Sequence, residues 1–279
     1  MVVSYWGTAA AEGIPCAFCG CKVCKQARKK GGKYMRTRSQ VLIDDTLLID
    51  FNADTYAHTL RYGFDMSKLE HLLITHTHAD HFYLDEFCNR GINFAKELPI
   101  ETLTVYGSED IVAKSERVQY LEKQNRVRFV SIAPYQTQEI AGVRVTAIPA
   151  EHGTEHPFVY ILEKDDKTFF LFNDSGLLSD EAMAFLKEKQ YRFDAISYDC
   201  TFGDGDASFG GTYKTQHLGI PNILEARELF KQNGNLTKNT KEIITHFSHN
   251  IATIGYKDMK KTAKKYGFIL AYDGLKVKI

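Results

Sequence analysis

The stretch Leu72-Leu73-Ile74-Thr75-His76-Thr77-His78-Ala79-Asp80-His81 runs from a short apolar segment into three histidines and an aspartate within six residues. Extended backbone sends residues two apart to the same side, so His76 and His78 can present both imidazoles to one ion. Asp80 and His81 fall where the chain turns toward a helix near Leu84, and so can face a second ion beside the first. Imidazole and carboxylate donors suit zinc, manganese or iron and do not choose among them. Read alone, Asp80 would make an ordinary helix N-cap. Three imidazoles and a carboxylate gathered directly after one strand are better explained by metal.

Two ions need more donors than this motif holds, and the same pattern of an apolar run ending in a polar turn recurs. Val41–Ile43 and Leu47–Ile49 flank Asp44-Asp45 as a hairpin that ends in Asp50-Phe51-Asn52. Val143–Ile148 leads to Glu151-His152-Gly153, Thr168–Phe172 to Asn173-Asp174-Ser175-Gly176, Phe193–Tyr198 to Asp199-Cys200, and Ile243-Ile244 to Thr245-His246. His152 would complete three imidazoles around the first ion with His76 and His78. Asp174 is placed to bridge both ions, since a carboxylate has two oxygens and offsets part of the doubled positive charge. His246 would join Asp80 and His81 on the second ion. Asp50 is a candidate to accept an imidazole N–H; Ser39, Asn52, Thr201 and the glycine-rich stretch Gly203 to Gly211 are candidates to line a pocket.

Helical periodicity falls between these strands, at Ala53–Tyr62, Ser108–Gln119, Ser179–Lys189, Ile220–Gln232 and Tyr256–Tyr266. Strands and helices alternate throughout, which makes the class α/β and puts the polar strand ends where such proteins place their sites. No repeat, low-complexity tract or linker divides the 279 residues, and the candidate donors so far reach from His76 to His246. One domain over 1–279 is expected. Hydrophobic residues are 44% of the chain, enough for a sizeable core, yet runs such as Phe169–Phe172 are far too short for a membrane span. Met1–Gly13 lacks the charged opening and apolar run of a signal peptide, so a cytoplasmic location is expected. Lys plus Arg and Asp plus Glu are both 35, leaving no net field to hold a long polyanion such as duplex DNA. The basic run Lys25–Lys33 reads as a solvated helix end and loop.

Cys16, Cys19, Cys21 and Cys24 form a C-x2-C-x-C-x2-C cluster. Neighbours this close make poor disulfides, whereas thiolates converging from a tight loop suit tetrahedral zinc. Spacing alone proposes a four-cysteine site; redox-active cysteines and an iron–sulfur site are the rivals. Cys88 and Cys200 read as core thiols.

The H-x-H-x-D-H motif of His76 to His81, with a separate His152, a separate Asp174 and a late Thr245-His246, resembles the metallo-β-lactamase superfamily. That resemblance implies a four-layer αββα sandwich with a dinuclear site at one sheet edge. The opening Gly7–Pro15 (G-T-A-A-A-E-G-I-P), the spacing Cys19-x-Cys21-x-x-Cys24 and the ending Thr245–His249 (T-H-F-S-H) narrow it to the PhnP-type phosphodiesterases associated with carbon-phosphorus lyase, over Gly7 to about Asn250. Matched residue by residue, it implies dinuclear ligands His76, His78, Asp80, His81, His152, Asp174 and His246. It implies one structural zinc on Cys19, Cys21, Cys24 and His249 within a Cys-rich loop at about 13–30, leaving Cys16 outside. It also implies that His217, in T-Q-H-L-G, sits near the leaving group, and it suggests a homodimer.

The function expected from this reading is hydrolysis of small or cyclic phosphodiesters. Two divalent ions, zinc or manganese, would hold a bridging hydroxide for in-line attack. Asp80 would orient that water and His217 would give a proton to the departing alkoxide; otherwise His217 is a structural histidine near the helix that follows Gly219. An RNA-processing endonuclease of the same superfamily would need a basic, flexible arm, and no insertion is long enough to form one. A thioester or lactone hydrolase could use the same ligands. Non-catalytic PqqB-type cofactor-biosynthesis proteins share the Cys-rich opening, but the complete ligand set favours an enzyme.

Overall fold

The computed structural model describes residues 1–205, 216–250 and 255–279. Its central strands are apolar on both faces, and that property builds the layers. In Phe169-Phe170-Leu171-Phe172, Phe169 and Leu171 point into one core with Val3, Tyr5 and Ile43, while Phe170 and Phe172 point into another with Leu186 and Phe230. A sheet buried on both sides needs a second sheet on one face and helices on the other.

Among the described residues the strands form two seven-stranded sheets. The first contains β1 (Val2–Gly7), β2 (Gln40–Ile43), β3 (Leu47–Ile49), β4 (His71–Leu73), β5 (Leu103–Gly107) and β6 (Val127–Ser131) in that order. The second runs, in reverse spatial order, through β7 (Thr137–Ile140), β8 (Val143–Pro149), β9 (Phe158–Lys164), β10 (Lys167–Phe172), β11 (Ala195–Asp199), β12 (Lys241–Thr245) and β13 (Ile269–Leu270). The chain then returns as β14 (Leu275–Lys278), antiparallel to β1 on the first sheet. One core lies between the sheets. Outside the second sheet pack α1 (Lys22–Lys30), α5 (Asp180–Glu188), α6 (Ile220–Gln232) and α7 (Tyr256–Tyr266); outside the first pack α2 (Thr55–Tyr62), α3 (Glu109–Lys114) and α4 (Gln119–Lys123). This is the four-layer αββα sandwich that the sequence motifs implied. Among the described residues no helix is long and apolar enough to cross a membrane.

Most elements fall where their periodicity placed them, and the Asp44-Asp45 hairpin is formed, with both residues at positive φ. The helix expected over Ser108–Gln119 is broken. Ser115 Oγ donates to Val112 O at 2.6 Å, and a 3-10 turn at Ser115–Val118 separates α3 from α4. The turn after His81 enters a 3-10 helix, Leu84–Arg90, and Cys88 on it is only partly buried, so it is not the core thiol expected; Cys200 is fully buried.

A buried polar relay ties α2 beneath the end of β3. His58 Nδ1 lies 2.5 Å from Gln40 Oε1 and Nε2 lies 2.6 Å from Thr37 Oγ1, while Gln40 Nε2 donates to Asp50 O at 2.8 Å. Burial holds His58 neutral, with its pKa lowered from 6.5 to about 4. The folded state therefore resists a proton that the unfolded chain accepts below pH 6.5, so stability falls as pH drops from 6.5 toward 4. Between pH 7 and 5 this amounts to about 2 kcal/mol. Urea unfolding of His58→Gln should show a pH slope shallower by that amount; an unchanged slope would place the titration elsewhere.

Candidate metal centre

Six strand ends and turns deliver the side chains to one edge of the sandwich. Asp50, Asp174 and His246 each leave a strand at positive φ, 66°, 53° and 60° respectively. That left-handed turn costs a non-glycine residue about 1 kcal/mol and swings its side chain out of the strand's alternation toward the site. Asp50 then organises the histidine motif. Its Oδ1 accepts from Thr75 N and Oγ1, both at 2.9 Å, and its Oδ2 accepts from His81 Nδ1 at 2.7 Å. From α3 the Lys114 ammonium donates to Thr77 O and steadies the same turn.

Two donor sets result, with Asp174 in both. His76, His78, His152 and Asp174 bring one ligand atom each within 4.8 Å of one another, as do Asp80, His81, Asp174 and His246. In the first set His78 Nδ1 lies 3.0 Å from His76 Nε2 and 3.0 Å from His152 Nε2. His152 Nδ1 faces Gln216 O at 3.2 Å, which turns Nε2 inward. In the second set His81 Nε2 stands 2.9 Å from Asp174 Oδ2 and 3.2 Å from Asp80 Oδ2. With Nδ1 donating to Asp50, a neutral His81 would turn the lone pair of Nε2 toward those oxygens, the arrangement of a metal ligand.

This is the arrangement a cation reconciles. His246 Nε2 is buried without a hydrogen-bond partner, a costly state unless something positive sits beside it. Bonds of about 2.0–2.1 Å to a tetrahedral metal set imidazole nitrogens about 3.3 Å apart, close to the spacing here. The residues present fit two divalent ions.

Electrostatics agree. Burial alone would raise Asp174, yet His246, His152 and His217 hold its carboxyl well below the usual range. Burial likewise opposes ionisation of Asp199, and His217 and His246 bring it to about 2. Burial pushes His76 well below the ordinary imidazole value, helped by neighbouring His81. His81 itself is raised well above it, because Asp50 and Asp80 outweigh burial. Ionised carboxylates thus surround imidazoles that cannot all be protonated, and divalent cations offset that charge.

Asp199, which the strand-end pattern contained but to which the sequence assigned no role, anchors the far side. Its Oδ2 lies 3.1 Å from His246 Nδ1 and 3.3 Å from His217 Nδ1, and its Oδ1 accepts from Leu218 N at 2.8 Å and Thr201 N at 3.0 Å. His217 Nδ1 also meets Asp174 Oδ1 at 3.1 Å. Burial disfavours charge on His217, but Asp174 and Asp199 raise it to about 11. The site opens into a cavity of about 440 Å³, walled by Glu12, His78, Asp80, His152, Thr201 and His217 among others. Thr201 lines it as expected. Ser39 and Asn52 do not: both are buried off the wall, and Asn52 Nδ2 donates to the Ser39 carbonyl oxygen at 2.8 Å. Gly203 lies in the turn after β11 and is not in the wall, and positions 206–211 lie outside the described residues.

Beside this centre Cys19, Cys21, Cys24 and His249 converge. His249 Nδ1 is 3.6 Å from Cys19 Sγ and 3.7 Å from Cys21 Sγ, where bonds of about 2.3 and 2.0–2.1 Å to one zinc would set sulfur and nitrogen about 3.6 Å apart. Cys16 gives its backbone N–H to Cys24 Sγ at 3.4 Å, so the geometry favours the three-cysteine, one-histidine set over four cysteines. Burial opposes a thiolate at Cys21, but the N–H of Cys24 and its neighbours lower it to about 7, while burial and Cys21 push Cys24 up to about 12. One thiolate hinders the next until a cation joins them.

Residues 45–247 match the model of the beta-lactamase superfamily domain. The chain belongs to the metallo-β-lactamase superfamily. Most enzymes of this superfamily are hydrolases. Among solved structures, the chain is similar to a diphosphatase from the PhnP family, at 22% identity and a TM-score of 0.74 over 100% of this chain and 97% of the other. It is similar to Zn²⁺-bound PqqB from Methylobacterium extorquens, at 19% identity and 0.77 over all of both chains. It is also similar to the short form of human tRNase Z, at 15% and 0.65 over 100% and 99%. At these identities the likeness is one of fold. No curated protein matches the sequence.

Proposed function

We propose that this member of the metallo-β-lactamase superfamily is a metal-dependent phosphodiesterase acting on small or cyclic diesters. The reading rests on Asp174 shared by two donor sets, with His217 held beside it at the wall of an open cavity. His76, His78, His152 and Asp174 would hold one ion, and Asp80, His81, Asp174 and His246 the other. When bound, two such ions supply Lewis acidity at the phosphoryl oxygens and a nucleophile drawn from water at neutral pH. A cavity of this volume lies in the small-molecule range, and the balanced charge favours a small diester over a long nucleic acid. A diphosphatase and a tRNase Z among the similar folds agree with phosphoryl chemistry.

The chain's own groups divide the remaining work. Asp80 borders the cavity, where its carboxylate would orient a water. Asp174 and Asp199 hold His217 through Nδ1, which leaves Nε2 as the ring atom to meet a leaving alkoxide. Proton donation matters most when the leaving group is basic. His217→Ala should therefore lower kcat by about 10²–10³ on an alkyl diester and by less than about tenfold on a p-nitrophenyl diester. Asp199→Asn should show the same leaving-group dependence, more weakly. Equal losses on both substrates would remove His217 from proton transfer.

The test of the function is metal analysis of purified protein followed by assays on bis(p-nitrophenyl) phosphate, 2′,3′-cyclic nucleotides, a thioester and a precursor tRNA. Hydrolysis of the diesters is expected. A full metal complement with no diester turnover would sink the proposal.

A further inference from the structure

We propose that the outer face formed by α1 and α7 is a docking surface for an anionic lipid bilayer, with Phe18 inserting among the acyl chains. This goes beyond the phosphodiesterase reading and does not depend on it.

The balanced total charge of the chain covers an uneven distribution. Together α1, the 3-10 turn Gly32–Tyr34 that follows it and α7 hold eleven of the 35 Lys and Arg residues and one of the 35 Asp and Glu, Asp258, which leaves 24 against 34 elsewhere. All eleven basic residues are exposed. The reason lies in what the helices bury. Cys24 and Ala27 turn α1 inward, and Met259 and Ala263 do the same for α7, so Lys22, Lys25 and Lys29 on one helix and Lys257, Lys261 and Lys264 on the other project away from the core. Among the described residues only Lys261 of the eleven pairs with a carboxylate, at 3.6 Å from Asp258. The four positions immediately before α7, Ile251 to Ile254, carry no charge.

Tertiary packing makes one surface of the two helices. The Tyr34 and Tyr256 rings meet edge to face at 5.7 Å, and Lys33, Lys260 and Lys264 share the wall of one cleft of about 440 Å³. Arg28 on α1 ties the loop that carries Phe18 to this surface: Nη1 donates to Cys19 O and Nη2 to Cys16 O, both at 2.7 Å. Phe18 itself is 100% exposed. The chemistry favours lipid over nucleic acid. Ten of the eleven are lysines, which meet phosphate as mobile point charges rather than through the fixed fork of arginine. They suit a fluid array of headgroups, where each is worth about fivefold in partitioning. A phenylalanine projecting beside them gains burial in acyl chains that a phosphate backbone does not provide. The negative remainder of the chain turns the patch toward an anionic surface.

The test is cosedimentation of the whole protein with vesicles of phosphatidylcholine alone and of phosphatidylcholine mixed equally with phosphatidylglycerol. Binding to the anionic vesicles should exceed binding to the neutral ones by at least about tenfold and weaken as salt rises. Lys257→Gln, Lys261→Gln and Lys264→Gln combined should lower it by about 10²-fold, and Phe18→Ser alone by about tenfold. Phe18→Trp should add emission that brominated lipid quenches, while Trp6, buried in the fold, keeps its own in wild type. Equal binding to the two kinds of vesicle, or Phe18→Trp emission that brominated lipid leaves unchanged, would overturn the proposal. So would tighter binding to polyuridylate than to the anionic vesicles, which would give the surface to nucleic acid instead.

Discussion

Asp174→Asn is expected to lower diester hydrolysis by about 10⁴-fold and to take metal content at the dinuclear centre from two ions to one or none. The reason is geometric. Asp174 faces five imidazoles, with His81 Nε2 at 2.9 Å, His217 Nδ1 at 3.1 Å, His76 Nε2 at 3.4 Å, His152 Nδ1 at 3.5 Å and His246 Nε2 at 3.6 Å. No other side chain belongs to both donor sets. An asparagine keeps the shape but offers one weakly donating oxygen and no charge, so it cannot bridge. Plasma mass spectrometry for metal and kcat on bis(p-nitrophenyl) phosphate check the two halves. A variant that keeps both ions and stays within tenfold of wild type would show that Asp174 does not bridge.

His249→Ala is expected to release about one metal per chain, leave the dinuclear pair in place and lower Tm by about 10 °C. The loop that carries Cys16 to Cys21 is poorly anchored by apolar burial, for Phe18 is 100% exposed and Cys24 is the buried member of the set. Metal takes the part that a core would otherwise play there. Because His249 lies three residues after His246 and Ser248 lines the cavity, a metal held by this loop would also brace the cavity edge. Loss of all metal together, measured on the same preparation as the melting curve, would mean that His246 and His249 are divided wrongly between the two sites.

The legibility of this site followed the range over which its parts cohere. His76, His78, Asp80 and His81 stand within six residues, so backbone geometry alone brings them together. His152, Asp174 and His246 could be proposed because each ends an apolar run of a type that sheets align. Asp199 ends such a run too, but its partners are His217 and His246, 18 and 47 residues further on, and no local pattern connects them. Ser39 and Asn52 had the right chemistry at strand ends, yet both are buried away from the cavity, and the Asn52 amide is taken by backbone carbonyls.

By itself the sequence determined the α/β class, the strand and helix positions, and the residue types able to hold metal, since periodicity and short-range spacing are properties of the chain alone. Only the tertiary structure decided which distant donor atoms converge, that Cys16 gives a backbone N–H while His249 comes beside Cys19 and Cys21, and that Asp199 backs two histidines. Those outcomes depend on the pairing of β10, β11 and β12 and on left-handed turns at Asp174 and His246. They are set by packing between segments far apart in the chain, where a shift of an ångström changes which atoms meet.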